Sequence, residues 1–290
     1  MPPASNTATR SVAKSSPGAG LYPRICNSWW TPVKTITTDS PVSKSPPIIV
    51  PDWPAPENVV AFTTTRCGGV SGAPYDSFNL ALHVGDEAAK VQQNRQILKS
   101  HFCLPNEPVW LEQIHGTSVV SLARPAGKPL PADPPRADGA VSAQRGVVCA
   151  VMTADCMPLF LSNKAGTRVG VIHAGWRGLA NGIIEQGVSA LNEPADQVLA
   201  WAGPTIGQMH FEIDNEVREQ LGGPDQAYAA STRPGKCHAD LYQLAAFRLQ
   251  ALGVAQYGHS RHCTFAEAGY FYSYRRDQQG GRMASLIYRR

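Results

Sequence analysis

Short apolar stretches, separated by polar turns that contain Gly and Pro, run along most of this 290-residue chain. Stretches of this kind are typical of β-strands. The segments predicted as strands are 59–65, 108–114, 147–152, 168–172, 198–202 and 283–288. Apolar residues at helical spacing predict helices after Asp86, over residues 179–191, and after Asp240, which forms a capping-box pattern with Gln243. Because strands and helices do not alternate strictly, the predicted fold class is α+β with mixed β-sheets.

The first 45 residues differ from the rest of the chain. They are rich in Ser, Thr and Pro, and no acidic residue precedes Asp39. Such a composition buries too little apolar surface to offset chain entropy, so residues 1–45 are predicted to be a disordered tail. Three interpretations of these residues remain open: a targeting segment, a flexible tail, or a start codon assigned too far upstream. Residues 46–290 are predicted to form a single catalytic domain.

Composition narrows the classes of function. The formal charge of +4 comes from scattered Lys and Arg, so a nucleic-acid partner is not expected. No apolar run reaches the ~18 residues of a membrane span, so a membrane partner is not expected either. Seven cysteines without a disulfide-framework spacing favour a reducing, cytoplasmic location. The mild positive charge suits an anionic substrate such as phosphate.

Two predicted strands end in residues capable of chemistry. Cys156 follows the strand at 147–152, and His173 follows the strand at 168–172. With His83 they give three protein ligands, the number that a catalytic zinc with one open position requires. The same residues allow four other interpretations: three ordinary buried side chains, a Cys156 nucleophile with His173 as its base, a copper site, or a non-catalytic zinc-stabilised module. Four-copper oxidase chemistry is poorly supported, because the chain has eight histidines and no His-x-His pair.

Other candidate side chains each have a structural alternative. His115 follows a predicted strand and is either a proton carrier or a histidine hydrogen-bonded to the backbone. Asp155 should point away from Cys156 and either supports the site or caps a turn. Arg66 offers an anion-binding fork or lies on the surface. Trp176 either stacks on a flat base or belongs to the core.

A series of ordered motifs carries a family resemblance. They are Thr-Thr-Arg66-x-Gly-Gly-Val-Ser, Asn79-Leu-x-x-His83-Val-Gly-Asp86, Gln113-x-His115-Gly, Ala137-Asp138-Gly, Thr153-Ala-Asp155-Cys156-x-Pro, His173-Ala-Gly-Trp176-Arg177-Gly, Gly203-Pro-x-Ile-Gly and Phe271-Tyr-Ser-Tyr-Arg-Arg-Asp. Over residues 59–290 the chain resembles the YfiH-type laccase-domain family of purine nucleoside phosphorylases, formerly called polyphenol oxidases.

The resemblance implies a layered α+β sandwich of mixed sheets with flanking helices, related to the toxin-type cysteine deamidase fold. It implies phosphorolysis of adenosine, inosine, guanosine and S-methyl-5′-thioadenosine, and hydrolytic deamination of adenosine. The implied partners are purine nucleosides and phosphate. The protein is expected to be a monomer or a homodimer. The implied cofactor is zinc. Copper is kept as a less favoured metal, since some members were named for copper-dependent oxidation of phenols.

The resemblance also assigns residues. It implies zinc ligands at His83, Cys156 and His173. For deamination at the Cys156 centre, we expect His115 or Asp155 to carry protons to the departing ammonia. The expected substrate contacts are Asn79, Trp176, Arg66 and Arg177, with the two arginines as candidates for holding phosphate. The chain departs from the family at Thr205 and Met209, where cysteines are common, which puts an auxiliary thiol role in doubt.

Overall fold

The computed structural model describes residues 46–123, 133–254 and 256–290. The strands in these ranges are β1 (Ile48–Ile49), β2 (Val59–Thr64), β3 (Val119–Ser121), β4 (Gly139–Ser142), β5 (Cys149–Thr153), β6 (Met157–Asn163), β7 (Val169–Ala174), β8 (Val198–Ala202), β9 (Glu212–Asp214), β10 (Tyr228–Ala230), β11 (Lys236–Ala239), β12 (Gln256–His259) and β13 (Met283–Arg289). The α-helices are α1 (Ala88–His101), α2 (Trp176–Ala180), α3 (Ile183–Ala190), α4 (Asn215–Leu221), α5 (Leu241–Ala251) and α6 (Tyr274–Asp277). The predicted tail at 1–45 lies outside the described residues.

The strands form three sheets. A six-stranded sheet has the order β12-β8-β6-β7-β4-β3 and is mixed, because β12 pairs parallel with β8 and β3 parallel with β4, whereas the inner pairs are antiparallel. A four-stranded antiparallel sheet has the order β1-β2-β13-β5. A small sheet of β10, β11 and β9 completes the set. The predicted α+β class with mixed sheets is confirmed.

Alternating side chains pack these elements into layers. In β6, Phe160 faces a core shared with the four-stranded sheet, whereas Leu159 and Leu161 face the core beneath α3 and α5. Phe62 of β2 packs on the outer side of the four-stranded sheet with Leu98 of α1. Successive side chains of a strand point to opposite faces, so the central strands of both large sheets are buried on both sides. The resulting order of layers is helix, sheet, sheet, helix, which agrees with the implied sandwich.

Several predicted elements need correction. The strand predicted at 108–114 is wrong: its residues Val109 and Glu112 form only isolated bridges. The single helix predicted over 179–191 is two helices, because Gly182 has a φ of 95° and separates α2 from α3. The residue that caps α1 is Glu87, not Asp86. The caps and bounds of the helix after Asp240 agree with prediction, since the Asp240 side chain accepts from two backbone amides there. In the described ranges, no helix combines the length and apolar character needed to cross a bilayer.

Two strand ends meet where the two large sheets adjoin. β5 belongs to the four-stranded sheet and β6 to the six-stranded sheet, and only residues 154–156 connect them. Asp155 takes a φ of 88° in this short turn. Cys156 therefore lies directly before β6, at the junction of the two sheets.

Candidate active site and metal centre

Strand register brings Cys156 next to the end of β7. In the antiparallel pair of β6 and β7, Pro158 lies opposite His173 and Met157 opposite Ala174. Continuing this register places Cys156 beside Gly175, the residue that precedes α2. A Cβ added to Gly175 would lie 3.1 Å from the Cys156 sulfur and 3.5 Å from Cε1 of His173.

Asp138 orients His173 from the neighbouring strand edge. Its Oδ1 atom lies 2.8 Å from Nδ1 of His173, and both side chains are buried. The backbone amide of His173 also donates to the Asp138 carbonyl at 2.6 Å. Because Nδ1 is held by the carboxylate, Nε2 is the ring nitrogen left to face Cys156. A carboxylate that fixes a histidine in this way is typical of metal-ligating imidazoles.

The same carboxylate holds His115. It accepts hydrogen bonds from the consecutive backbone amides of Ile114, His115 and Gly116, at 3.2, 2.9 and 2.7 Å. His115 has a φ of 58°, a left-handed conformation that this set of bonds stabilises. Gln113 anchors the loop, since its side-chain amide both donates to and accepts from the Met152 backbone in β5. His115 thus reaches the β5 end from a fixed loop.

Three donor side chains converge as a result. The ligand atoms of His115, Cys156 and His173 lie within 4.8 Å of one another, and this is the one such group found in the described residues. The His115 Nε2 and Cys156 Sγ atoms are 3.9 Å apart, and the two imidazole rings are 4.7 Å apart, edge to face. Zinc bonds of ~2.0 Å to nitrogen and ~2.3 Å to sulfur at a tetrahedral angle separate donors by roughly 3.5 Å. The spacing and the donor chemistry therefore fit a zinc ion.

Charge couples the three side chains. Burial alone would raise the pKa of Cys156, but the His173 charge and hydrogen bonds from both imidazoles outweigh burial and lower that pKa to about 6. Burial lowers the pKa of His173, but the Cys156 thiolate and the Asp138 carboxylate outweigh it and raise the pKa to about 9. Burial also opposes ionisation of Asp138, yet its hydrogen bonds hold the pKa below the usual value. At neutral pH the metal-free pair is a thiolate beside an imidazolium, and the thiolate is the form that binds a metal.

His83 is not a member of this donor group, although the resemblance placed it among the ligands. The third member of the group is His115. His83 is exposed in the loop that Asn79 closes by donating to Asp86 Oδ2 at 2.9 Å. Partial burial lowers the pKa of His83, and the charges of Arg282 and Arg95 lower it further. Sequence spacing could not separate the two histidines, because both lie in loops far along the chain from Cys156.

Asp155 is not part of the donor group, and its φ of 88° shows a turn in place of the extended segment that the prediction assumed. Its carboxylate accepts from the Thr264 hydroxyl at 2.6 Å, the Ser273 hydroxyl at 3.0 Å and the Arg275 amide at 2.7 Å. Its carbonyl accepts from the hydroxyl of Thr205, one of the two positions where the chain departs from the family pattern. These contacts make Asp155 an anchor for three distant segments.

Arg66 and Asn79 are also engaged by the protein itself. The Arg66 guanidinium donates to the Asp76 carbonyl and carboxylate and to the Ala268 carbonyl, and it lies over the Tyr272 ring. Asn79 is fully buried, and its side-chain oxygen accepts from the amides of two residues, Ala81 and Arg282. Both side chains order the loops around the site.

Trp176 and Arg177 begin α2, directly after Gly175. The Arg177 guanidinium lies 4.4 Å from the centre of the Trp176 ring, and Trp176 packs partly against the core under α3. One face of the indole is therefore covered by a cation. The structure places both residues next to the cluster along the chain.

Sequence reasoning missed the supporting residues Asp138, Gln113 and Gly175 as parts of the site. A signal was present, since Gln113-x-His115-Gly and Ala137-Asp138-Gly were both recognised as motifs. What the sequence could not show is that one carboxylate joins the His115 loop to His173.

Residues 60–290 match the family model described as multi-copper polyphenol oxidoreductase laccase. The chain is 48% identical over 243 residues to purine nucleoside phosphorylase YfiH of Escherichia coli, covering 83% of this chain and 98% of the relative. It is 45% identical over 247 residues to purine nucleoside phosphorylase PA4543 of Pseudomonas aeruginosa, covering 83% and 97%.

Solved structures agree with these sequence matches. Protein NMB0706 of Neisseria meningitidis superimposes with a TM-score of 0.77 at 41% identity, over 83% of this chain and 98% of that one. YlmD of Geobacillus stearothermophilus superimposes with a TM-score of 0.72 at 31% identity, over 80% and 92%. The sandwich described above is therefore shared with these proteins.

Proposed function

Because the chain belongs to the multi-copper polyphenol oxidoreductase laccase family, and two close relatives are named purine nucleoside phosphorylases, we propose that it cleaves purine nucleosides with phosphate. The observation that carries the proposal is the convergence of His115, Cys156 and His173 around the Asp138 carboxylate. Adenosine, inosine, guanosine and S-methyl-5′-thioadenosine are the proposed substrates, and deamination of adenosine is a proposed second reaction. We expect the enzyme to act in the cytoplasm.

The proposed metal is zinc, held by His115, Cys156 and His173. This set revises the ligands implied by the resemblance, with His115 replacing His83. Two imidazoles and one thiolate leave a fourth position open, and a half-exposed site gives substrate access to it. When bound, zinc supplies a Lewis acid that polarises an oxygen ligand. Copper is the less favoured metal, because the described site lacks the additional histidines of multi-copper chemistry.

In phosphorolysis, one phosphate oxygen forms a bond to C1′ of the ribose while the bond from C1′ to the purine nitrogen breaks. The bonding electron pair leaves with the purine, which takes the proton that hydrogen phosphate gives up. The task of the protein is to hold the two reactants in line. Asp138 contributes by fixing the positions of His115 and His173, and we keep Trp176 and Arg177 as proposed contacts to the nucleoside.

One experiment tests the ligand set and the activity together. Purified protein is analysed for metal and assayed for ribose 1-phosphate released from inosine and phosphate. We expect about one zinc per chain, lost in Cys156→Ala and His115→Ala but retained in His83→Ala, which serves as the matched control for zinc content alone. Zinc retained in His115→Ala, or turnover by metal-free Cys156→Ala, would refute the proposed centre.

A thiol hydrolase is a second candidate, and the geometry of Cys156, His173 and Asp138 favours it specifically. A thiolate, an imidazolium and an orienting carboxylate are the parts of a cysteine nucleophile system. Under this alternative a chelator leaves activity intact and iodoacetamide abolishes it. Under the zinc proposal, removal of the metal abolishes activity, and bound zinc protects Cys156 from alkylation.

A further inference from the structure

Phosphorolysis requires a group that holds a phosphate dianion close to the nucleoside. Of the two arginines first expected to do so, Arg177 is exposed and lies over the Trp176 ring, whereas Arg66 is bound by the protein itself. The Arg66 side chain is 17% exposed and donates from all three of its nitrogens to Asp76 and Ala268. Arg276 uses all five of its N–H groups within the protein, on Asp277 and on three backbone carbonyls. Both guanidinium groups are held in place by the protein itself.

Arg282 differs from them. Its Nη1 atom donates to the carbonyls of Gly280 and Gly281, at 3.0 and 2.9 Å. Within the described residues, its Nε and Nη2 atoms have no hydrogen-bond acceptor, and no carboxylate forms an ion pair with it. The side chain is only half-exposed. A partly desolvated cation without a direct counter-ion is costly for a protein to keep, and an anionic ligand removes that cost.

The backbone places Arg282 at the reaction centre. Met283 of β13 lies opposite Thr153 of β5, so the residue before Met283 comes alongside the turn that carries Cys156. Charge interactions agree with this position: burial lowers the pKa of Arg282, whereas the thiolate of Cys156 and the carboxylate of Asp155 act to raise it. Arg282 is thus a half-buried guanidinium with unused donors that borders the metal centre, whereas Arg177 is exposed.

The loop of His83 is fixed to the same place. The Arg282 amide donates to the Asn79 side chain at 3.0 Å, and Asn79 closes the loop that carries His83. The charge of Arg282 is felt at His83, where it opposes protonation. An imidazole offers an N–H donor to an anion, which gives the exposed His83 a role outside the donor group.

We propose that Arg282, assisted by His83, forms the phosphate subsite of this centre. The inference rests on the proposed phosphorylase function and names the residues that hold its second substrate. The guanidinium fork matches two oxygens of a phosphate, a geometry that a lysine cannot reproduce. The third and fourth oxygens remain available, one of them for attack on C1′.

The test compares Arg282→Gln, Arg282→Lys and a matched control, Lys164→Gln. Lys164 is exposed in the turn between β6 and β7, at the end of these strands remote from His173, so its variant makes the same charge change far from the site. With inosine saturating, we expect Arg282→Gln to raise KM for phosphate by roughly 10- to 100-fold, as for loss of a charge-assisted hydrogen bond. KM for inosine and the zinc content should stay within about twofold of wild type, as they should in the control.

A second measurement does not depend on turnover. Inorganic phosphate should raise the Tm of zinc-loaded wild type and of Lys164→Gln, because a ligand stabilises the state that binds it. The rise should be absent in Arg282→Gln and reduced in Arg282→Lys. The Lys variant decides the matter if the Gln variant does not fold, because it keeps the charge and loses only the fork.

The outcomes separate the two proposals. An unchanged phosphate KM and an unchanged phosphate-induced rise in Tm in the Arg282 variants overturn the subsite, even if wild type is a phosphorylase. A wild type that lacks phosphorolysis but shows a rise in Tm dependent on Arg282 refutes the proposed function and keeps the subsite. A wild type whose Tm does not respond to phosphate overturns the subsite.

Discussion

Oδ1 of Asp138 lies 2.8 Å from Nδ1 of His173, and the same carboxylate receives three consecutive amides of the His115 loop. One buried side chain thus sets the orientation of two of the three donors in the centre. This arrangement explains how residues separated by long stretches of sequence reach a common geometry without being neighbours in one sheet.

Asp138→Asn should therefore weaken metal binding without removing a ligand. An amide cannot accept from every donor around it, so we expect zinc affinity to fall by about 10- to 100-fold, as is typical for outer partners of metal-bound histidines. The unfolding free energy of the metal-free protein should fall by roughly 1–3 kcal/mol, because buried donors lose an acceptor. Competition with a chromophoric chelator and urea denaturation measure the two effects. Zinc affinity equal to wild type would contradict the role given to Asp138.

The thiolate of Cys156 gives a pH prediction for metal-free protein. Its pKa is lowered from 9.0 to about 6, so its contribution to stability is complete above pH 9 and is lost as the pH falls through 6. The pKa of His173 is raised from 6.5 to about 9, so its contribution is complete below pH 6.5 and is lost as the pH rises through 9. These opposite effects nearly cancel in the net pH dependence of stability.

Alkylation is the measurement that reports this pair. The rate of Cys156 modification by iodoacetamide should rise with a midpoint near pH 6 in the metal-free protein. In His173→Gln the midpoint should move toward the 9.0 of an unperturbed thiol, because the neighbouring imidazolium is gone. Cys156→Ala gives the background from the other thiols. A midpoint that does not move in His173→Gln would rule out the coupling.

Gly175→Ala tests the space that the centre needs. The added Cβ would lie 2.9 Å from Cδ2 of His115 and 3.1 Å from the Cys156 sulfur, while the φ of −69° at Gly175 suits alanine. The effect is therefore steric, and we expect at least about a tenfold loss of zinc affinity with a stability loss of ~1–3 kcal/mol. Gly269→Ala is the matched control, because its Cβ meets nothing within 4 Å. Normal zinc binding in Gly175→Ala would show that the donors do not close around this position.

Asp155 should prove to be a structural anchor and not a proton carrier. Asp155→Ala leaves the Thr264 and Ser273 hydroxyls without their hydrogen-bond acceptor. We therefore expect the unfolding free energy to fall by roughly 2–4 kcal/mol. Thr264→Val removes one of the same bonds and leaves the carboxylate in place. If anchoring is the whole role, both variants keep wild-type kcat per folded, zinc-loaded molecule. A large fall in kcat confined to Asp155→Ala would restore the catalytic role.

The sequence predicted local structure well where one element carries its own signal. The strand at 198–202 and the capped helix after Asp240 lie where alternation and capping place them. The segment 108–114 has the composition of a strand but does not form one. Tertiary contacts decide its conformation, since the Gln113 side chain donates to the Met152 carbonyl. Gly182 breaks a helix whose apolar spacing is continuous, and spacing does not reveal the φ that a glycine adopts.

The candidate centre was predictable only in part. Cys156 directly precedes β6 and His173 lies near the end of β7, within the strand and not after it as predicted. These two strands pair in register, which brings the two residues together. His115 and His83 both lie in glycine-containing loops, and the choice between them depends on which loop the buried Asp138 binds. Hydrogen bonds between residues distant in sequence decide which histidine joins the centre, and residue spacing does not reveal such bonds.

The order of strands in the four-stranded sheet has a consequence for folding. β13 lies between β2 and β5, so the strand that delivers Cys156 has no hydrogen-bonded partner in its sheet until residues 283–289 are available. The end of β5 next to Cys156 is therefore set in place only when Thr153 pairs with Met283, far along the chain. Assembly of the proposed centre consequently depends on a long-range strand pairing, which makes it a late event in folding.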